Sequence, residues 1–113
     1  MGTSATISMN INGVAKAMYC NFDGYPSHTG ITLKQSYTDD ESIKELIAGG
    51  SCSRLDKDIN EIERYNHGNT GLYMSYKSLE EMYKKRPETS YYYHWDGNCW
   101  NLVTENGRFT SPL

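Results

Sequence analysis

An α+β domain with a largely antiparallel sheet, built from N- and C-terminal hairpins with two or three short helices, is the fold class these residues predict. Three features carry that expectation. Thr6-Ile7-Ser8-Met9-Asn10-Ile11 alternates apolar and polar residues and runs into Asn12-Gly13, a two-residue turn suited to positive φ. Near the other end, the aromatic run Tyr91-Tyr92-Tyr93-His94-Trp95 is separated from Trp100-Asn101-Leu102-Val103 by Asp96-Gly97, a second hairpin signal. Between them, Ile43, Leu46 and Ile47 repeat at helical spacing.

Taken in order, Val14 to Phe22 is the return strand of the first hairpin, with Met18, Cys20 and Phe22 on one face and Ala15, Ala17 and Tyr19 on the other. Asp23-Gly24-Tyr25-Pro26-Ser27-His28-Thr29-Gly30 cannot continue a strand and reads as a loop. A short helix follows over Ile31 to Tyr37. Thr38 and Glu41 then stand at capping-box spacing before the Ile43, Leu46 and Ile47 stripe, which Gly49-Gly50 ends. From Ser51 to Gly71 the residues suggest a weak helix and then a loop around Asn66-His67-Gly68-Asn69. Leu72, Met74 and Tyr76 alternate like a strand, and Ser78 with Glu81 opens another short helix stopped by Pro87. Asn106-Gly107 marks a last turn before a short strand at Phe109.

The length of 113 residues suits one domain with one core, spanning 1–113. Only 37% of residues are hydrophobic, but ten tyrosines, two tryptophans and two phenylalanines supply large apolar area, so disorder is not expected. No run approaches the ~18 apolar residues of a membrane helix, and the N-terminus lacks a signal-peptide pattern. A cytoplasmic protein is the expectation. Three widely spaced cysteines, Cys20, Cys52 and Cys99, fit reduced thiols rather than a disulfide framework. A net charge of −3 argues against bulk nucleic-acid binding and is too small for a DNA mimic, which leaves a small ligand or a protein as partner.

Catalytic and metal patterns are sparse. The cysteines and His28, His67 and His94 form no close pair of the kind zinc requires, so no metal and no cofactor are expected. Cys20 sits mid-strand and reads first as a small core residue, although a Cys–His nucleophile meets in space rather than in sequence. Asp23 before Gly24 reads as a turn-capping residue ahead of a catalytic carboxylate, and Glu80-Glu81 suits a helix N-terminus. Phosphate-cradling glycine motifs are absent. What remains is aromatic surface with isolated cations: Tyr25, Tyr91 to Tyr93, Trp95 and Trp100, with Arg54, Arg64, Arg86 and Arg108. An aromatic face for a base and a guanidinium for its phosphate can build a nucleotide site, while strand aromatics more commonly serve core packing.

The segment Tyr19-Cys20-Asn21-Phe22-Asp23-Gly24-Tyr25-Pro26 resembles the Y-C-H-W-D-G-Y-P signature of a widespread phage and prophage protein family. Thr3-Ser4-Ala5-Thr6-Ile7 is similar to its T-R-S-T-I opening, Thr32-Leu33 through Tyr37 to its T-L-L-E-H-Y helix, and Leu46-Ile47-Ala48-Gly49-Gly50 to its L-I-A-L-G-D stretch. The aromatic tail from Tyr91 to Trp100 echoes its tyrosine-rich closing hairpin. Asn21 and Phe22 stand where the family has His and Trp, and Ser51 to Pro87 is unmatched.

The resemblance implies a phage-encoded accessory protein acting in the cytoplasm of an infected bacterium against host defence. By analogy with small oligomeric sponges of the anti-CBASS and anti-Thoeris type, it implies sequestration of a cyclic nucleotide or cyclic ADP-ribose signal without cleavage. Asp23, Tyr25, Pro26, His28, Arg54, Tyr93, Trp95, Trp100 and Arg108 are the ligand-binding candidates, with no catalytic residue among them. A homo-oligomer is expected, because so much tyrosine surface would otherwise be exposed. The alternatives are a protein–protein inhibitor of a defence component and a nucleotide-cleaving enzyme using Asp23 and His28.

Overall fold

The two hairpins expected at the ends of the chain form, and they are joined side by side. A computed structural model describes residues 3–50, 52–62, 74–76, 81, 91–104 and 109–112. Strand β1 (Ala5–Ile11) turns through Asn12 and Gly13, both at positive φ, into the antiparallel β2 (Val14–Phe22). Strand β3 (Cys52–Arg54) lies parallel to the end of β2, and β4 (Met74–Tyr76) antiparallel to its beginning. The aromatic segment forms β5 (Tyr91–Trp95) and β6 (Trp100–Thr104) about Asp96-Gly97, with Gly97 at φ +97°, and β7 (Phe109–Pro112) pairs with β6. The order is β3-β2-β1-β5-β6-β7, with β4 also on β2.

This is an α+β fold with a mixed sheet. Every hairpin pairing is antiparallel, as expected, but β1 and β5 run parallel, Ala5 facing Tyr91 and Met9 facing Trp95. That pairing makes β1 a central strand, and its residues are buried on both faces from Ala5 to Met9. One face carries Ala5, Ile7 and Met9 into a core with Met18, Cys20, Tyr93 and Trp95. On the other face Ser8 stands opposite His94, whose Nδ1 lies 2.8 Å from the Ser8 hydroxyl. The Ser8 hydroxyl also lies 3.2 Å from the Tyr93 carbonyl, which can only accept; with the Ser8 hydrogen there, Nδ1 is the donor of the first bond. The pair clips β5 to β1.

Two helices cover the apolar face. Helix α1 (Ile31–Ser36) contributes Leu33, and α2 (Asp40–Ala48) contributes Ile43, Leu46 and Ile47, the stripe expected from spacing. The cap differs from the expected Thr38–Glu41 box. Asp39 is the N-cap, accepting from the Ser42 N–H at 2.7 Å; this bond to the helix-end amide holds its carboxyl below the ordinary range. Tyr37, just past α1, is buried and ties two segments, its hydroxyl donating to Asp56 O at 2.6 Å and its carbonyl accepting from the Trp100 indole at 2.8 Å.

Two further expectations need correction. The loop after β2 contains a π-helical turn, Pro26–Gly30, because Pro26 presets the first φ and the Ile31 N–H reaches back to Pro26 O. The weak helix expected after Ser51 is β3 followed by a 3₁₀ turn at Ile59–Glu61, since Cys52 and Leu55 bury beside β2 and the charged residues only turn. The Asn66–Asn69 loop and the Asn106-Gly107 turn lie outside the described residues, as does the helix from Ser78 except for Glu81, which is helical. The three cysteines are free thiols. Among the described residues no helix is long and apolar enough to cross a membrane.

Candidate functional site

Strand β2 ends at Phe22, and the chain changes direction through a close backbone approach. Asp23 adopts φ +57°, a left-handed conformation that Asp tolerates better than most residues. Gly24 then passes so near the start of β1 that a Cβ there would stand 2.7 Å from the Ser4 carbonyl carbon and 2.8 Å from Ala5 Cβ. Only glycine fits. Its N–H donates to Thr3 O at 2.7 Å, and its carbonyl accepts from the buried Tyr93 hydroxyl at 2.6 Å. Burial, with the nearby Tyr91 and Cys20 adding to it, pushes the Tyr93 hydroxyl above its ordinary pKa, so it stays a donor.

The rest of the loop is held by its own bonds. Thr29 is buried and donates its hydroxyl to Asp23 O at 2.7 Å, while Tyr25 O accepts from the His28 and Thr29 amides, each at 3.0 Å. His28 Nε2 donates to Leu55 O at 3.3 Å, because a carbonyl can only accept; this joins the loop to the residue after β3. The Tyr25 and His28 rings meet edge to face, centroids 6.4 Å apart.

Onto this frame the sequence hangs an exposed face. Asp23 Oδ2 pairs with Arg54 Nε at 2.6 Å, and Asp23 Oδ1 accepts from the Tyr25 hydroxyl at 3.3 Å. Arg54 is the register partner of Phe22 across β2 and β3. Its side chain is 63% exposed and engages Asp23 through Nε, so the ion pair occupies one of the guanidinium's donors and the Nη groups retain theirs. The exposed large hydrophobic residues among those described are Phe22 (41%), Tyr25 (37%) and Ile31 (46%), and all three belong to this one stretch.

The candidates therefore divide. Asp23, Tyr25, Pro26, His28 and Arg54 come together, with Tyr93 buried beneath them as a support. Trp95 and Trp100 do not join them. They lie at the far end of the parallel pair, four residue steps from the Ala5–Tyr91 end, or about 13 Å along the strands. Both indoles are buried, their N–H groups bonded to Asp40 Oδ1 at 2.7 Å and to Tyr37 O, and they line the floor of a depression of about 170 Å³ with Lys34, Thr38, Asn98 and Cys99 at its rim. Arg108, like Arg64 and Arg86, lies outside the described residues. Among the described residues no group of three or more His, Cys, Asp or Glu side chains could hold a metal ion.

Phe22 and Ile31 were not among the expected site residues. Phe22 shares a face with the buried Met18 and Cys20, so alternation alone assigns it to the core; only its place as the last residue of β2 signals exposure. Comparison with protein-family models, curated proteins and solved structures returns no match for the chain.

Proposed function

We propose that this protein is a non-catalytic binding protein whose site is the face formed by Phe22, Asp23, Tyr25, Ile31 and Arg54, and that it sequesters a cyclic nucleotide or cyclic ADP-ribose immune signal. The observation that carries this reading is that the exposed large apolar residues among those described all fall within Phe22 to Ile31, and that two of them, Phe22 as the register partner of Arg54 and Tyr25 through its bond to Asp23, flank the Arg54–Asp23 ion pair. Isolated exposed apolar residues need no explanation, but a cluster beside a cation held on a bonded loop does. Asp23 fixes Arg54 through Nε and leaves the Nη donors for an anion, while the Phe22 and Tyr25 rings offer faces for a base. The motif resemblance at Tyr19 to Pro26 supplies the phage anti-defence context. Sequestration by an oligomer, with two chains contributing one aromatic and one cation each, belongs to the same proposal.

A protein partner is the second reading. Ile31 favours it, as an exposed aliphatic side chain adds nothing to phosphate recognition, while Tyr and Arg are the residues that protein-binding hot spots favour.

The test mixes the protein with a panel of cyclic dinucleotides and cyclic ADP-ribose isomers, removes unbound ligand, denatures the complex and analyses the release by chromatography. Intact ligand in fixed proportion to protein sustains sequestration. Cleaved product that grows with time replaces it with catalysis, and no retained ligand from the panel favours the protein partner.

A further inference from the structure

Two thiols meet where the ligand reading does not use them. Cys20 in β2 and Cys52 in β3 are register partners in a parallel pair, and both are buried in the same core cluster. Neighbouring strands lie about 4.8 Å apart, inside the Cα separation of about 4.4–6.8 Å that a disulfide spans. Two residues further on, the same strands carry Phe22 and Arg54, again as register partners.

We propose that Cys20 and Cys52 are a site of reversible disulfide formation, which ties β3 to β2 and fixes the strand that presents Arg54. Cys20 is the attacking sulfur. The Cys52 side chain is the main influence that holds its thiol below the ordinary value, helped by backbone groups at Leu55 and Phe22 and by Thr29, against burial that raises it. With hydrogen peroxide as oxidant, the Cys20 thiolate attacks one peroxide oxygen, the O–O bond breaks, and a proton completes the departing water. Cys20 is then a sulfenic acid. The Cys52 sulfur attacks it, the S–S bond forms, and the hydroxyl leaves with the Cys52 proton as a second water. Two thiols lose two hydrogens and two electrons, and the peroxide gains them.

Access comes through β3. It is a three-residue strand at the end of the sheet order, paired along one edge only, so it opens more readily than the central strands. Cys99 is a different case: it sits in the β5–β6 turn beside Asp96, and partial desolvation together with that carboxylate pushes its thiol up.

The experiment treats the reduced full chain, and a Cys99→Ser variant that cannot cross-link through the turn, with hydrogen peroxide. Remaining thiols are blocked with N-ethylmaleimide under denaturing conditions, and intact mass and peptides are analysed. The expected product is two hydrogens lighter, carries a Cys20–Cys52 peptide link that dithiothreitol reverses, and melts roughly 5–10 °C higher. Alkylation of both Cys20 and Cys52 after oxidation, irreversible oxidation of Cys20 without a link, or a link that lowers the melting temperature would overturn the proposal. None of these readouts involves a ligand, so failure of the nucleotide reading leaves them unchanged.

Discussion

The Tyr93 hydroxyl donates to the Gly24 carbonyl oxygen at 2.6 Å, across 69 residues of sequence. The bond joins β5, the strand that links the two hairpins within the sheet, to the loop that carries the exposed face. Since β5 is itself held against β1 by parallel pairing and by the Ser8–His94 clip, the position of Tyr25 and Asp23 depends on both hairpins together. Of the C-terminal aromatic candidates, Tyr93 thus serves the candidate site from below, as a support, while Trp95 and Trp100 lie away from it.

Tyr93→Phe keeps the ring and removes the donor, which leaves a buried carbonyl without its partner. Unfolding free energy should fall by about 1–3 kcal/mol, measured by urea denaturation. The loop should also loosen, with faster amide exchange at Tyr25 to Thr29, whose own bonds depend on the same anchored turn. Unchanged stability and exchange would mean that the bond to Gly24 contributes nothing.

Gly24→Ala tests the close approach directly. The added Cβ would meet Ser4 and Ala5 backbone atoms at 2.7 and 2.9 Å, and backbone cannot swing aside as a flexible side chain can. A loss of roughly 1–3 kcal/mol is expected, with Gly13→Ala as a comparison in which nothing lies within 4 Å and only the positive φ opposes the methyl group. Equal losses at the two positions would show that conformation, not contact, governs Gly24.

How far the sequence reveals this arrangement depends on the range of the interaction concerned. Asn12-Gly13, Asp96-Gly97 and the Ile43, Leu46 and Ile47 stripe are local signals, and each appears in the structure where alternation or helical spacing puts it. The parallel β1–β5 pairing is not local: nothing in the order of residues states that Ala5 will face Tyr91. In the 51–62 region a three-residue strand has too little periodicity to compete with its charged neighbours, so β3 leaves no local signal. At the site, Asp23, Tyr25 and His28 were legible from one loop, and Arg54 as a cation near a turn. The separation of Trp95 and Trp100 from them was not, because composition counts aromatics without saying which end of a strand they occupy.

Acid should destabilise the fold through His94. Burial lowers its pKa below the ordinary 6.5, with Asp96 opposing that shift only in part. The unfolded chain therefore takes up a proton at pH values where the folded chain still resists. Stability is fully present above about pH 6.5 and falls as the pH drops from there toward the folded-state pKa, by no more than about 1.4 kcal/mol per pH unit. Melting temperatures from pH 8 to 5 should decline in the wild type and decline less in His94→Gln, which cannot titrate. Parallel curves for the two proteins would assign the acid sensitivity to other groups.

Arg54 and Tyr25 separate a binding face from a structural one. Their ion pair and hydrogen bond to Asp23 are exposed, so each should add little to folding, about 0–1 kcal/mol, and Arg54→Ala or Tyr25→Ala should leave the melting temperature nearly unchanged. Binding should respond much more strongly. Removing a guanidinium that donates to a ligand phosphate costs about 1.5–3 kcal/mol, roughly 10- to 150-fold in affinity, and removing a stacked ring costs about 1–3 kcal/mol. Arg54→Lys keeps the charge but loses the planar fork and the Nε contact that orients it, so it should recover only part of the lost affinity. Calorimetric titration of the four proteins with whichever cyclic nucleotide the panel retains gives the comparison. Affinity that ignores every Arg54 substitution removes the phosphate clamp, and a fall in melting temperature for Tyr25→Ala with binding intact returns that ring to a structural role.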